Sequence, residues 1–226
     1  WREFYGDIPP KKLSLPTYPF ANERYWVERD YEAMPSTSAE SLHPLVHANI
    51  STLAEQKFQS VFRGDEFFFA DHQVKGHKVL PGVATLEMAY TALTIAESSV
   101  LNGVVIDLYQ VQWERPIVGD QGQSLALVLI PEDENNVAYE LRTPLGDRPE
   151  SEWQVCSRGW ATKSQQTIAP QLDLEALKTR ISETVITRDV FYPVLAQRGL
   201  ELGAGLQGLQ LAHRNSQEVL ALIELP

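Results

Sequence analysis

Cysteine is nearly absent from this chain, with Cys156 the single example among 226 residues. One cysteine cannot form a disulfide or a cysteine-based zinc site within the chain, and this fits a reducing compartment. Runs of about 18 apolar residues, which a membrane-spanning helix needs, are also missing. The first residues, WRE, lack the basic-then-apolar order of a secretory signal. These absences predict a cytoplasmic protein with no membrane partner.

Basic residues are scarce relative to acidic ones. The chain has 19 Lys and Arg against 30 Asp and Glu, which gives a net charge of -11. This charge opposes binding to phosphate backbones or anionic lipid, so no nucleic-acid partner is expected. With 43% hydrophobic residues, the length suits one large or two small domains.

The chain opens with a segment that differs in composition from the rest. Residues 1–40 are rich in proline and aromatic side chains, which favours an extended strap over a helix. The run from Met34 to Ser41 has the small and polar residues of a flexible joint. We therefore expect an extended inter-domain linker over residues 1–40.

One long helix is predicted over residues 82–97. Pro81 stands directly before it, where a missing backbone N–H costs nothing. Apolar residues recur at helical spacing, which predicts one buried face. That face consists of Val83, Leu86, Ala89, Tyr90, Leu93 and Ala96.

Strand-like segments flank this helix along the sequence. Their short connections are typical of antiparallel hairpins, and helices do not alternate with strands as a nucleotide-binding fold requires. The predicted strands are 57–63, 66–70, 104–112, 124–130, 137–142 and 153–160. This order predicts an α+β architecture in which an antiparallel sheet wraps around a long central helix.

The last part of the chain is predicted to be less regular. Residues 165–190 have the composition of a polar linker with a short helix near 174–181. A second helix is predicted over 187–197. A glycine-rich turn at 199–208 and one alternating strand at 218–225 follow.

The strongest chemical signal is DHQVKGHKVLPG, residues 71–82, between a predicted strand and the long helix. A helix N-terminus offers free N–H groups and partial positive charge, which can hold an oxyanion or a polarised carbonyl. His72 on the preceding loop can reach the same place. Because histidine exchanges protons near neutral pH, this segment is the candidate active site.

The pattern His-x3-Gly-x4-Pro in this segment, followed by glycine and a helix, resembles the active-site motif of a known family. The family is the dehydratase domains of modular polyketide synthases, which have a double-hotdog fold. Residues 13–26, LSLPTYPFANERYW, resemble the strap after the ketosynthase region of such synthases. Further likenesses lie at His43-Pro44-Leu45, VLPGVATLEMA and WQVCSRGWA. The sequence of residues 71–89 looks most like the corresponding segment of synthases whose acyltransferase acts in trans.

The resemblance implies a complete first hotdog over 41–164, a linker over 165–190 and the start of an incomplete second hotdog over 191–226. It implies a hydro-lyase that converts a β-hydroxyacyl thioester into an α,β-enoyl thioester. The substrate is carried on the phosphopantetheine arm of an acyl carrier protein, and no separate cofactor is expected. The implied partners are that carrier protein and neighbouring synthase domains, with the ketosynthase on the N-terminal side, and a homodimeric parent is compatible with the family.

The same resemblance assigns roles to four residues. His72 is the base that removes the α-proton, Gly76 and Pro81 shape the loop, and the Gly82 amide is a candidate donor to the thioester carbonyl. An α-proton beside a thioester is only weakly acidic, so the developing enolate-like oxygen needs a preorganised donor. In the family, the acid that releases the β-hydroxyl is an aspartate on the helix of the second hotdog.

The turn before that second helix departs from the family pattern. The family reads Tyr-Gly-Pro-x-Phe-x-Gly, whereas residues 202–208 read LGAGLQG. Asp173 and Asp189 are the only aspartates after residue 150, and both precede the turn. We expect a fragment whose continuation supplies the aspartate. The alternative is a degenerate domain, acting as a double-bond-shifting enoyl isomerase or as a non-catalytic structural domain.

Other catalytic and binding sites have little support in the sequence. His72 and His77 lie five residues apart without a carboxylate triad, so no metal site is predicted. A Gly-x-Ser-x-Gly elbow, as serine hydrolases use, does not occur. Cys156 in an alternating strand is predicted to be packed. Core or edge packing is the default for the strand tryptophans, although one of them is a candidate for lining an acyl tunnel: Trp113, Trp153 or Trp160.

Overall fold

The computed structural model describes residues 41–97, 104–146, 152–165 and 171–225. The predicted linker over 1–40, with the strap-like segment 13–26, lies outside the described residues. The helices are α1 (Phe67–Ala70), α2 (Gly82–Glu97), α3 (Leu174–Arg180) and α4 (Arg188–Gln197). The strands are β1 (Ala48–Asn49), β2 (Gln56–Phe62), β3 (His72–Val74), β4 (His77–Lys78), β5 (Val104–Trp113), β6 (Gln123–Pro131), β7 (Asn136–Thr143), β8 (Gln154–Gln165), β9 (Thr184–Thr187), β10 (Leu200–Leu202), β11 (Leu209–Arg214) and β12 (Val219–Ile223).

The main sheet is six-stranded and antiparallel, in the order β1-β2-β6-β7-β8-β5. Helix α2 packs against this sheet, and the two share one hydrophobic core. Fully buried core side chains come from the strands and the helix alike, among them Phe58, Phe62, Met88, Leu125, Leu127, Tyr139 and Leu141. The prediction of an α+β hotdog architecture, an antiparallel sheet around a long central helix, is confirmed.

The buried face of α2 matches the prediction only in part, since Ala89 and Leu93 are buried as predicted. Val83 and Tyr90 are exposed, with Val83 at 71% of its full exposure. Small side chains instead dominate the face that meets the sheet, because they allow the helix backbone to approach the strands closely. The buried residues of this helix are Ala84, Thr85, Met88, Ala89, Ala92 and Leu93.

A second correction concerns residues 66–70, predicted as a strand. They form the one-turn helix α1, which begins after Glu66. The carboxylate of Glu66 accepts hydrogen bonds from the N–H groups of Arg63 (2.8 Å) and Gly64 (2.9 Å), which closes the chain into a turn. A short apolar run such as FFFA has no periodicity that separates strand from helix.

Two three-stranded sheets complete the described fold, in the orders β10-β3-β4 and β12-β11-β9. The structure confirms helices near the predicted positions 174–181 and 187–197, and a strand within 218–225. The short strands β1, β3, β4, β9, β10 and β11 were not predicted. Strand β9 and helix α3 lie inside the segment 165–190, which was expected to be a linker. The domain boundaries given above remain predictions. No helix among the described residues is long and apolar enough to cross a bilayer.

Cys156 is packed on β8, as predicted, with 2% of its surface exposed. Its Sγ lies 3.3 Å from the Thr143 hydroxyl, and burial raises the pKa of the thiol. We therefore expect the native protein to react with a thiol reagent such as DTNB far more slowly than the protein in denaturant. Equal rates in the two conditions would contradict this packing.

Candidate active site

The segment predicted to be the active site is not the loop that was expected around His72, but a β-hairpin. Strands β3 and β4 pair through Gln73 with Lys78 and Val74 with His77. The two residues of the connecting turn, Lys75 and Gly76, have φ values of 52° and 81°. Two consecutive positive φ values are typical of a type I′ turn, whose twist matches that of the strands. Gly76 therefore lies at the tip of the hairpin, in a conformation that favours glycine.

The chain between this hairpin and helix α2 is held against residues 117–119. The N–H of Leu80 donates to the carbonyl of Ile117 (2.9 Å), and the N–H of Gly119 donates to the carbonyl of Lys78 (2.9 Å). Pro81 is buried, and its carbonyl accepts a hydrogen bond from Ala84 in the first turn of α2 (2.9 Å). These contacts fix where α2 begins relative to the hairpin.

His72 begins β3 and lies at a cavity of about 300 Å³. Its ring Nδ1 lies 2.8 Å from the carbonyl oxygen of Val79. Because a carbonyl can only accept, Nδ1 carries the proton, and in the neutral ring Nε2 holds the lone pair. His72 is thus held in the tautomer of a base. The cavity is lined by His72, Val79, Leu80, Gly82, Thr85, Trp113, Glu114, Arg115, Pro116, Ile117, Cys156 and Ser157.

Gly82, the first residue of α2, lies at the same cavity. The first N–H groups of a helix have no intrahelical partner, and the helix dipole places partial positive charge there. The carbonyl of Gly82 accepts hydrogen bonds from the Thr85 hydroxyl (2.7 Å) and from the indole Nε1 of Trp113 (3.2 Å). The cavity therefore presents a histidine base and a helix N-terminus together.

Asp71 joins the hairpin to the glycine-rich turn at 203–208. Its carboxylate accepts a hydrogen bond from the N–H of Gly205 (2.7 Å), and its carbonyl accepts one from the N–H of Gly203 (2.8 Å). Strand β10 also pairs with β3, and Leu202 lies opposite His72. The strand that carries His72 is thus supported by a segment about 130 residues later in the sequence.

His77 bonds to Asp120 and lies outside the cavity lining. Its Nδ1 is 2.8 Å from a carboxylate oxygen of Asp120, and the other carboxylate oxygen accepts from the N–H of Lys78 (2.9 Å). These hydrogen bonds, with that of His77 the larger cause, lower the pKa of Asp120 below its ordinary value of 3.8. The pair holds strand β4 to the loop at residue 120.

This lowered pKa predicts a pH dependence of stability. The contribution of Asp120 is complete above pH 3.8 and is lost as the pH falls through the lower pKa of the folded state. We expect Asp120→Asn to reduce the free energy of unfolding at pH 7, by an amount that shrinks as the pH falls below 3.8. Urea unfolding of both proteins over a pH series measures this difference. A difference that grows on acidification would contradict the assignment.

Several residues of the site were not identified from the sequence. Trp113 was one of three equivalent tryptophans, and only its hydrogen bonds to the start of α2 select it. Asp71 lay in the motif without a role, because its partners, Gly203 and Gly205, are distant in sequence. Asp120 gave no signal of its own. Within the described residues, no group of three His, Cys, Asp or Glu could hold a metal ion.

Comparison with known proteins identifies a family that this chain resembles. A family model described as the polyketide synthase dehydratase domain matches residues 43–144. Polyketide synthase PksM of Bacillus subtilis is 38% identical over 229 residues, which cover 100% of this chain and 5% of that protein. Polyketide synthase PksN of the same organism is 36% identical over 235 residues, covering 100% of this chain and 4% of that protein.

Solved structures agree with these sequence matches. The crystal structure of a trans-AT PKS dehydratase domain from Brevibacillus brevis is similar with a TM-score of 0.78 and 35% identity. The match covers 82% of this chain and 65% of that one. The dehydratase domain of RzxB from Pseudomonas fluorescens gives a TM-score of 0.70 at 30% identity, covering 82% of this chain and 66% of that one. The chain thus spans under two thirds of the first of these solved domains and a small part of the curated relatives.

Proposed function

Because this chain belongs to the dehydratase domains of polyketide synthases, we propose that it takes part in removing water from a β-hydroxyacyl thioester. The product is the α,β-enoyl thioester. The observation that carries the proposal is His72, held by Val79 in the tautomer of a base at a cavity that also receives the N-terminus of α2. The reaction needs both features, since it removes a weakly acidic proton and builds negative charge on the thioester oxygen.

His72 is the proposed base. Its Nε2 takes the α-proton of the substrate, and the electron pair of the broken C–H bond forms the new double bond as the β-hydroxyl departs. The hydrogen bond from Nδ1 to the Val79 carbonyl keeps the ring oriented and stabilises the imidazolium that forms. A general base positioned in this way contributes about 10²- to 10⁴-fold to a rate.

The N–H of Gly82 is the proposed donor to the thioester carbonyl. As the first residue of α2, it combines a free N–H with the positive end of the helix dipole. Pro81 precedes it, buried and bonded to the first turn, and Gly76 forms the turn that returns the chain from His72 toward this point. We assign Gly76 and Pro81 the role of holding base and donor in register.

The departing hydroxyl needs a proton from an acid. Among the described residues, Glu114 is the carboxylate that lines the cavity, and it is engaged in an ion pair with Arg158. We therefore do not assign the acid to Glu114. In the dehydratase family the acid is an aspartate of the second hotdog, and we propose that the segment docked on Asp71 positions that half beside His72.

The proposed substrate carrier is the phosphopantetheine arm of an acyl carrier protein, and no other cofactor is needed. A net charge of -11 gives no long-range attraction to an acidic carrier. Tethering within one synthase makes attraction unnecessary, because a linked partner reaches an effective concentration of the order of millimolar. The similarity to a dehydratase described as trans-AT supports a synthase of that type.

Intact-mass analysis of the carrier protein tests the proposal. A β-hydroxyacyl carrier protein incubated with the intact protein should lose one water, and the His72→Ala variant should leave it unchanged. In a parallel reaction, an enoyl carrier protein is incubated in heavy water. Deuterium uptake by the enoyl substrate without any water loss from the hydroxyacyl one would replace dehydration by double-bond isomerisation. If neither water loss nor deuterium uptake occurs, the proposal is overturned in favour of a structural role.

A further inference from the structure

Trp113 lines the cavity with an indole ring that is largely exposed and yet held in place. It closes strand β5 and is 55% exposed, yet its indole N–H is hydrogen bonded. Nε1 lies 3.0 Å from the Thr85 hydroxyl and 3.2 Å from the Gly82 carbonyl, both in the first turn of α2. An exposed indole is normally free to change rotamer, whereas these two bonds hold the ring across the start of the helix.

A β-bulge aims this side chain at the cavity. The register between β5 and β8 shifts between Tyr109 and Gln112, and Gln110 has a φ of 50°. Upstream of the bulge, Ile106 and Leu108 face the core. If side chains alternated strictly along β5, Trp113 would point to the face opposite Ile106 and Leu108. The bulge inserts one extra residue into β5, so Trp113 points to the same face as these two residues, the face that meets α2. Bulges of this kind re-aim side chains beside active sites.

The indole lies directly against Gly82. A Cβ added at Gly82 would lie 3.2 Å from Cε2 and Nε1 of Trp113, closer than most side-chain contacts. Glycine at position 82 therefore leaves room for the indole as well as offering its N–H. The ring thus forms a fixed wall beside the group proposed to hold the thioester carbonyl.

We propose that Trp113 is a specificity-determining residue that selects against α-branched acyl chains. The inference rests on the proposed function, in which the Gly82 N–H holds the thioester carbonyl. A carbonyl oxygen about 2.9 Å from that nitrogen places the α-carbon only two bonds farther on. His72 must approach one face of the α-carbon, and the indole bounds the space beside it. An α-methyl group therefore competes with the ring for the same volume.

Trp160 provides a matched control. It lies on the neighbouring strand β8, and its indole N–H donates to Glu132 (3.0 Å), away from the residues that line the cavity. Trp113→Leu and Trp160→Leu remove the same ring and the same kind of hydrogen bond from adjacent strands. Trp113→Phe keeps an aromatic ring but removes the N–H and part of the volume.

The experiment compares α-methyl with α-unbranched substrates in two ways on the intact protein. The first readout is kcat/KM for the two β-hydroxyacyl carrier proteins. The second is the Kd, by calorimetry, for two unreactive acyl-pantetheine amides that differ only in the α-methyl group. Trp113→Leu should raise the branched-to-unbranched ratio of kcat/KM about tenfold or more and lower the branched-to-unbranched ratio of Kd by a similar factor, since one methyl group in a tight pocket discriminates by 10-fold or more. Trp113→Phe should give an intermediate ratio, and Trp160→Leu the wild-type ratio.

The two readouts separate failure of this inference from failure of the proposed function. The wild-type protein could turn over neither substrate while Trp113→Leu changes the ratio of the Kd values for the two amides. That result would reject dehydration and support Trp113 as the residue that excludes the α-methyl group. If the binding ratio stays constant in Trp113→Leu, the wall is overturned whatever the turnover. An equal shift in Trp160→Leu would also overturn it, because the effect would then not be local to the cavity.

Discussion

Replacing His72 by alanine should lower kcat/KM by about 10²- to 10⁴-fold, the range that a general base contributes. The variant lacks the Nε2 lone pair, and within the described lining of the cavity no second histidine can take the α-proton. The fold should survive, because the substitution removes one hydrogen bond, to Val79, which is worth about 1 kcal/mol. Steady-state kinetics with a β-hydroxyacyl carrier protein, and urea unfolding, measure the two effects separately.

His77 is the matched control for this prediction. It lies in the same hairpin, 66% exposed, and bonds to Asp120 outside the cavity lining. His77→Ala should cost some stability and leave kcat/KM nearly unchanged. A His72→Ala protein with wild-type turnover, or an equal loss of turnover in His77→Ala, would show that the base lies elsewhere.

Replacing Gly203 by alanine should impair both stability and turnover. The backbone at Gly203 has a φ of -77°, which any residue adopts, so the glycine is required by space alone. An added Cβ would lie 2.2 Å from the Asp71 carboxylate, which must then move away from Gly205. We expect a loss of about 1–3 kcal/mol in the free energy of unfolding, as for other overpacked sites. Turnover should fall by up to about 10²-fold, the effect of misplacing a catalytic group by about 1 Å.

A double-mutant cycle isolates the contact between Gly203 and Asp71. In the Asp71→Ala background the carboxylate is gone, so Gly203→Ala should cost less than it does in the wild-type protein. Ala204→Ser, at an exposed position of the same turn, serves as the control and should behave like the wild type. Fully additive costs for Asp71→Ala and Gly203→Ala would refute the idea that the turn supports the His72 strand through Asp71.

This contact also gives Gly203 a structural role in a turn that has lost other family residues. The sequence at 202–208 lacks the tyrosine, proline and phenylalanine of the family pattern. Gly203 and Gly208 keep the two glycine positions of the pattern, whereas Gly205 stands at a variable position. Gly203 and Gly205 both approach the Asp71 carboxylate closely. The docking of this segment on the hairpin therefore depends on one retained glycine, Gly203, and on Gly205 beside it.

Local patterns predicted much of the fold. The helix over 82–97 and five of the six main-sheet strands follow from local sequence patterns. The buried face of α2 could be predicted only in part in this way. Apolar spacing found Ala89 and Leu93 but also included Val83 and Tyr90, which are exposed. It left out Ala84 and Ala92, which are buried because the sheet approaches the helix closely. Which face a helix buries depends on the shape of its partner, and periodicity does not report that shape.

The same distinction between local sequence patterns and tertiary contacts applies to the candidate site. His72 and Gly82 were found because they lie in one short segment with a recognisable spacing. Trp113 could not be chosen over Trp153 and Trp160, because a bulge at Gln110 decides the direction in which its side chain points and has no sequence signal of its own. Asp71 was missed as a support because its partners, Gly203 and Gly205, lie in a turn that sequence patterns did not predict to be its neighbour.

The most direct test of the central claim, that His72 removes the α-proton, uses a β-hydroxyacyl carrier protein carrying two deuterium atoms at the α-carbon. Intact-mass analysis after incubation with the wild-type protein should show loss of the β-hydroxyl and one of the two deuterium atoms, which together equal one HDO. The His72→Ala variant should leave both deuterium atoms and the hydroxyl in place. Water loss by His72→Ala at the wild-type rate, or loss of the hydroxyl with both deuterium atoms retained, would contradict the account.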